Sequence, residues 1–354
     1  SDEVLDLCIG CKGCKRDCPS GVDLAKLKTE ITHERHQREG VAVRDRLFAN
    51  VETLYSLGSS LAPLSNWATK LPGAGLLAEK TLGIARERKL PSFSRNTLQG
   101  WAQNRTPAVS KNEGTRKALL IADPYTNYTQ PEVGKAAIRV LETAGVHVTV
   151  ADKVTDSGRP AHSKGLLDQS KATATANVDV LADRVADGWD IVSVEPSDAV
   201  MYQDDYLDLL SGDAVERVAS NTYSVLEYID SFRLDDALDT TADATLSYHG
   251  HCHQTAASRE HHAVGVLRRV GYTVDVLDTT CCGMAGSFGY EAEHYSMSQA
   301  IGQLLYDAVE DSPAGEVVAP GTSCRSQLGD MSRYDGQPSH PIEKVSEALC
   351  WCGQ

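Results

Sequence analysis

Apolar and polar positions recur with two different periods along this chain, and the change falls near residue 117. Before it, Leu24, Leu27 and Ile31 stand at helical spacing in SGVDLAKLKTEITHERHQRE, with Ser20 as the expected cap and Gly40 as the expected stop. Residues 41–90 continue as helices broken at Pro63 and at LPGAG (71–75), and the Pro-bearing polar stretch 91–116 reads as a linker. Beyond 117, short apolar runs alternate with helical stretches. KALLIAD (117–123) is a buried-strand pattern, PEVGKAAIRVLETAG (131–145) a helix ending at Gly145, and VHVTVAD (146–152) and WDIVSVEPS (189–197) are further strands. The texture then returns in TLSYHGHCH, HHAVGVLRRVG, YTVDVLD and GEVVAPGTSC. Strands alternating with helices predict α/β architecture with a parallel sheet in each unit.

The return is an internal repeat. VLETAGVHVTV (140–150) and VLRRVGYTVDV (266–276) share V-L-x-x-x-G-x-x-V-x-V at an offset of 126 residues. DSG (156–158) meets CCG (281–283), EPSD (195–198) meets GTSC (321–324), and Pro124 falls opposite Cys252. Two tandem homologous units related by a pseudo-twofold axis are expected. The second keeps cysteines where the first carries Pro124, Asp156, Ser157 and Asp198.

At 354 residues the chain is long enough for two or three domains. No run approaches the ~20 apolar residues of a membrane-spanning helix, and SDEVLDLC has no leader character; a cytoplasmic protein is expected, at most peripheral at the inner membrane face. The net charge of −15 argues against a nucleic-acid partner. That charge is uneven: residues 1–117 carry 19 Lys+Arg against 13 Asp+Glu, and residues 118–354 carry 15 against 36. A mildly basic front suits docking to a partner, whereas a solvated acidic surface explains the rest equally well.

Ten cysteines fall in clusters rather than in a disulfide-like scatter. Cys8, Cys11, Cys14 and Cys18 follow C-x2-C-x2-C-x3-C-P, the bacterial ferredoxin run that holds a 4Fe-4S cluster. Gly10 and Gly13 permit the close backbone approach such a cluster needs, and a zinc site would favour paired knuckles with a longer spacer. In two-cluster ferredoxins the fourth cysteine serves the other cluster. Cys18 therefore either closes a single cluster or looks for a partner half supplied by a preceding segment or another polypeptide, and the abrupt start favours the second.

Cys252, Cys281, Cys282 and Cys324 form the second expected metal set, gathered at the carboxyl ends of strands with Cys252 ending one. Gly283 lets the Cys-Cys turn aim both thiols at one centre. His249, His251 and His253 flank Cys252, and His294 lies beyond the turn. One or more of these histidines is read as a metal ligand or proton carrier, with His251, His253 and His294 the candidate catalytic residues, against the plain alternative that strand alternation gives the first three structural hydrogen bonds; a mixed Cys/His zinc site is open as well. The centre is read as a second iron–sulfur cluster or a zinc or iron ion. Cys350 and Cys352, in LCWCGQ, read as a frayed tail.

CIGCKGCKRDCPSGVD, DPYTNYTQPEVG, GRPAHSKGLLD, EPSD, YHGHCHQTA, CCGMAGSFGYEAEHY and APGTSCRSQ occur in this order. Together they resemble the C-terminal ferredoxin and cysteine-rich (CCG) portion of FAD-linked D-lactate, glycolate and D-2-hydroxyglutarate dehydrogenase fusion proteins. The same repeats occur in the CCG-bearing subunits of anaerobic glycerol-3-phosphate dehydrogenase and of heterodisulfide reductase. The resemblance covers nearly the whole chain, most loosely across 41–110, and CCGMAGSFGYEAEHY is its most specific element.

It implies four parts: an iron–sulfur segment (1–40) with a helical half-ferredoxin, a helical connector and linker (41–116), a first CCG repeat that has lost its cysteines (117–240), and a second repeat with the metal site (241–354). It further implies an oxidoreductase component that is not complete alone. Electrons would come from FAD on a partner or missing segment, pass through the N-terminal cluster and leave to a quinone or another carrier. Two departures stand out: Asp156, Ser157 and Asp198 in the first repeat, and Arg325, Ser326 and Gln327 after Cys324 where a second cysteine often stands. A heterodisulfide-type thiol/disulfide reductase and a zinc-scaffolded binding module are the alternatives. The two sulfur sites are expected in separate domains.

Overall fold

A computed structural model describes residues 2–154, 156–331 and 336–350 of the chain; Cys352 lies outside them. Eight short helices between Asp2 and Gln103 precede two α/β regions, each built on a small parallel sheet. The first sheet contains β1 (Arg116–Ile121), β2 (Val146–Val150), β3 (Asp190–Ser193) and β4 (Thr222–Ser224) in the order β2-β1-β3-β4. The second contains β5 (Thr245–Tyr248), β6 (Thr273–Val276) and β7 (Glu316–Val318) in the order β6-β5-β7.

The strand order of the second sheet is that of the first three strands of the first. Leu120 stands opposite Val150 and Val192, and Tyr248 stands opposite Val276 and Val318. Both central strands are buried on both faces, which explains their unbroken apolar runs. One core serves both units: Leu120, Val148 and Val192 belong to the same buried cluster as Leu246, Tyr248 and Ile342. Fully burying each such side chain contributes roughly 1.5–3 kcal/mol. Helix Pro341–Ala348 lies against helix Pro131–Thr143, with Arg139 donating to Ser346 Oγ at 2.9 Å.

The N-terminal region departs from its sequence pattern in three ways. The helix over Leu24–Glu39 is capped by Asp23, whose carboxylate accepts from the Lys26 amide at 3.0 Å, rather than by Ser20. Gly40 ends it with φ 84° as expected. Leu24 and Leu27, which stand at helical spacing, are exposed, and the buried residue of the helix is Thr29. The stretch 91–116 is not a free tether. It contains helix Leu98–Gln103, and Leu98 is wholly buried against Gly134, where an added Cβ would stand 2.3 Å from Leu98 Cδ2.

The connector straps both α/β units. Buried Arg88 donates to the Gly289 carbonyl at 2.7 Å, to Gln327 Oε1 at 2.7 Å, to Ser298 Oγ at 2.6 Å and to Asp330 at 2.5 Å. At its other end the Ser94 amide donates to the Tyr128 carbonyl at 2.7 Å. Ahead of both anchors, Leu57, Leu61, Leu64, Trp67 and Leu77 remain exposed. Among the described residues no helix is long and apolar enough to cross a membrane.

Candidate metal and redox site

The second sheet delivers its cysteines from three loops. β5 ends at Tyr248, and Cys252 opens helix Cys252–Ala256 instead of ending a strand. The chain leaves β6 and turns through Cys281 and Cys282 at Gly283, whose φ of 87° admits glycine readily. A Cβ there would lie 2.3 Å from the Ser298 carbonyl oxygen, so both backbone shape and space demand glycine. Cys324 is the third residue of helix Thr322–Leu328 after β7. All four positions therefore follow the carboxyl ends of parallel strands, as open α/β sheets arrange ligand sites.

The thiols touch. Cys281 lies against Cys252 and Cys282, and Cys282 against Cys324 and His249. Hydrogen bonds with Cys281 and Cys324 push the Cys282 thiol well below its ordinary value; contact with Cys282 pushes Cys324 up, and contacts with Cys11, Cys252 and Cys282 push Cys281 up.

The histidines divide by role. His249 Nδ1 meets Thr279 Oγ1 at 2.8 Å, while its Nε2 is buried without a hydrogen-bond partner. The ligand atoms of His249, Cys282 and Cys324 all lie within 4.8 Å of one another. His251 is not on a strand face; it caps the Cys252–Ala256 helix, its Nδ1 accepting from the His253 amide at 3.3 Å. Burial holds both His251 and His253 below the ordinary imidazole value, and so neutral. His253 Nε2 lies 3.0 Å from the Gly10 carbonyl oxygen and 3.3 Å from Arg159. The shorter contact assigns Nε2–H as donor to Gly10. His294 sits between Glu291 Oε2 at 3.0 Å and Asp6 Oδ2 at 3.2 Å, stacked on Phe288. Glu291 raises it above its ordinary value.

The Gly10 and Asp6 contacts place the N-terminal run on this site. The Cys11 thiol lies against Cys281, whose hydrogen bond lowers it to about 6. The expectation of two spatially separate sulfur sites therefore fails at Cys11, because the start of the run, from Asp6 to Cys11, packs against His294, His253 and Cys281 of the second unit. Lys12, in the left-handed region at φ 58°, is buried with its ammonium 2.8 Å from Asp205 Oδ1. Arg159 meets the other oxygen of Asp205 at 2.9 Å. Burial alone would raise that carboxyl; the two cations outweigh it and hold it well below the usual range. Cys14 Sγ accepts from the Leu24 amide at 3.3 Å, and the amides of Val22 and Ser20 lower the half-buried Cys18 thiol. Cys8 is half-buried, its carbonyl accepting from Lys28 Nζ at 2.7 Å. Cys350 lies apart, against Thr241 Oγ1.

The equivalent corner of the first sheet carries oxygen instead of sulfur. Asp123 caps helix Pro124–Tyr128 as His251 caps its counterpart, and Asp198 is the third residue of helix Pro196–Val200 as Cys324 is of Thr322–Leu328. Ser157 Oγ donates to Asp198 Oδ1 at 2.5 Å, and Gly158 repeats the left-handed turn of Gly283 at φ 80°. Burial drives Asp198 well above the carboxylate range and Asp123 to about 6. Glu195 bridges the two corners: its Oε2 accepts from the Thr322 amide at 2.9 Å, and its Oε1 stands 3.9 Å from His251 Nε2. Sequence reading passed over Glu195, although EPSD standing opposite GTSC marks it as a helix cap. A cavity of about 990 Å³ opens beside these groups, lined by Cys252, Cys281, Cys282 and Cys324 and by the cations Lys28 and Lys164.

The donor set is that of a soft or borderline metal: several thiols, one already favoured as thiolate, and an imidazole nitrogen with no other partner. Residues 246–329 match the CCG cysteine-rich domain family. The chain is 27% identical over 98% of its length to D-2-hydroxyglutarate dehydrogenase of Escherichia coli K12, covering 34% of that protein. It is equally 27% identical to a subunit of the anaerobic glycerol-3-phosphate dehydrogenase of E. coli K12, covering 87% of it. Against the glycolate oxidase iron-sulfur subunit of E. coli K12 the figures are 24% identity and 83% coverage. The chain thus spans about a third of the D-2-hydroxyglutarate dehydrogenases it matches, and its CCG domain carries all four cysteines of the second set.

Proposed function

We propose that this chain is the iron–sulfur electron-transfer part of a flavin-dependent D-2-hydroxyacid or glycerol-3-phosphate dehydrogenase. In this reading Cys8, Cys11, Cys14 and Cys18 hold a 4Fe-4S cluster, Cys252, Cys281, Cys282 and Cys324 contribute to a second metal centre, and FAD resides on a partner polypeptide or segment. Iron–sulfur clusters take and give single electrons over a wide span of potentials. The observation that carries the reading is the convergence of both sulfur sets, with Gly10 held by His253 and Cys11 against Cys281. Sites in contact need no intervening carrier.

The protein's own groups set the conditions for that passage. His251 and His253, neutral and engaged in structural hydrogen bonds, orient the two cysteine segments. Lys12 and Arg159, both paired with the buried carboxylate of Asp205, anchor the N-terminal loop to the first unit. The 990 Å³ cavity gives a quinone or another carrier access to the CCG centre. We place the protein in the cytoplasm, peripheral at the membrane face: the exposed connector carries Trp67 and several leucines, and Lys70 is the sole charged residue of 53–78. The matched strand orders and caps support descent of both units from one CCG repeat, divided at the boundaries expected from the sequence.

The same cavity, opening on four thiols, favours a second reading, a thiol/disulfide reductase. Anaerobic purification with iron and sulfide analysis, followed by dithionite reduction, tests the first. Iron and sulfide in equal amounts with a reducible signal support electron transfer. An iron-free chain that turns over heterodisulfides alone would replace it with the second.

A further inference from the structure

We propose that His249, through Nε2, is a ligand of the second centre and shares one metal atom with Cys282 and Cys324. The inference rests on the reading above only in assuming that the CCG corner holds metal.

Three observations converge on His249. Its Nε2 is buried against the Cys282 thiol and has no other polar partner, which costs free energy unless something binds it. Its Nδ1 is fixed at 2.8 Å by Thr279 Oγ1, the second contact that orients a ligating imidazole and leaves the Nε2 lone pair free. Its ligand atom and those of Cys282 and Cys324 fall within 4.8 Å of one another. Two donors on one tetrahedral ion, at ~2.0–2.3 Å from it, stand roughly 3.3–3.8 Å apart. Thiolates on different irons of a cube have several atoms between them and stand further apart. The compact triad therefore fits a single borderline ion, zinc or ferrous iron, better than three corners of a cluster.

Cys281 and Cys252 line the cavity beside the triad. Either closes the fourth position as a thiolate, or leaves it facing the cavity for a ligand. An imidazole in place of one thiolate weakens the donation of negative charge to the ion and, where that ion is iron, raises its potential.

The test uses the full chain with its N-terminal centre loaded, freed of labile metal and titrated anaerobically with Co2+ alone. The wild type should bind one Co2+ at this corner with tetrahedral and thiolate charge-transfer absorption. His249→Ala should weaken binding by at least ~100-fold, more than the ~10-fold expected for Thr279→Val, with the far-ultraviolet dichroism retained. X-ray absorption of the wild type needs no variant and should show imidazole scattering beyond the first shell. Unchanged affinity and spectrum in His249→Ala, sulfur-only scattering, or no Co2+ bound at this corner would each overturn the assignment. Iron and sulfide counts on the same sample report on the N-terminal motif separately, so failure of the electron-transfer reading leaves the His249 result standing.

Discussion

The Nε2 of His253, in the second α/β unit, lies 3.0 Å from the carbonyl oxygen of Gly10, in the loop joining the first two N-terminal cysteines. The two residues are 243 positions apart. This hydrogen bond, with Lys12 on Asp205, makes the cysteine run a part of the CCG corner rather than an appended module.

Removing that bond should be felt at both places. His253→Ala loses a buried ring and leaves the Gly10 carbonyl unpaired, a cost of about 2–3 kcal/mol. We expect a lower midpoint of chemical unfolding and faster protease cleavage before Cys18, with the second unit's dichroism retained. Cleavage at the wild-type rate would mean the loop is held by other contacts.

The element order, the two parallel sheets and the glycine turn at 281–283 were legible because each is local: periodicity, a strand-turn-helix texture, a Cys-Cys-Gly string. The repeat offset also marked Pro124, Asp156, Ser157 and Asp198 as counterparts of metal-corner positions, but not Asp123 or Glu195. What stayed hidden is long-range. Nothing near Cys11 announces Cys281, and three alternating histidines look alike until the strand is seen to stop at Tyr248 and give each a separate task. The buried strap at Arg88 was likewise invisible, because an arginine's composition and spacing do not reveal partners some 200 residues away, and the polar stretch after it, which packs through Leu98, has the composition of a linker.

The CCG turn has no tolerance for a side chain. Gly283→Ala forces a left-handed backbone and a Cβ 2.3 Å from the Ser298 oxygen. At Gly321 the backbone angle is ordinary, but a Cβ would stand 2.5 Å from His251 Cδ2 and 3.2 Å from Cys324 Sγ. We expect Gly283→Ala to cost at least ~2–3 kcal/mol and Gly321→Ala less, with metal loss exceeding the stability loss in the second. Thermal unfolding and metal content on the same preparations separate the two effects.

Acid should loosen the seam between connector and CCG domain. Burial would raise Glu291, but the hydrogen bond from His294 and the Lys164 charge bring it down to about 2. A depressed carboxyl contributes stability that is whole above its unfolded value near 4.3 and lost as pH falls toward 2. His294, raised by Glu291, contributes below its unfolded value near 6.5 and loses that contribution as pH climbs through its higher folded value. Unfolding free energy should therefore fall on both flanks. Glu291→Gln should flatten both limbs at a cost on the order of 3 kcal/mol near neutrality. An unaltered pH profile in that variant would contradict the assignment.

The exposed connector should bind lipid. With vesicles of phosphatidylcholine and an anionic lipid, the wild type should co-sediment, and Trp67→Glu or Leu61→Glu should weaken binding roughly tenfold or more. Absence of wild-type binding would leave the patch to a protein partner.

The most direct test is a dithionite titration of anaerobically purified protein followed by electron paramagnetic resonance, on the wild type, Cys14→Ser and Cys324→Ser. The account predicts a coloured, iron- and sulfide-bearing wild type whose one-electron signal disappears in Cys14→Ser and persists, with an altered line shape, in Cys324→Ser. A colourless, iron-free wild type with no signal would contradict it.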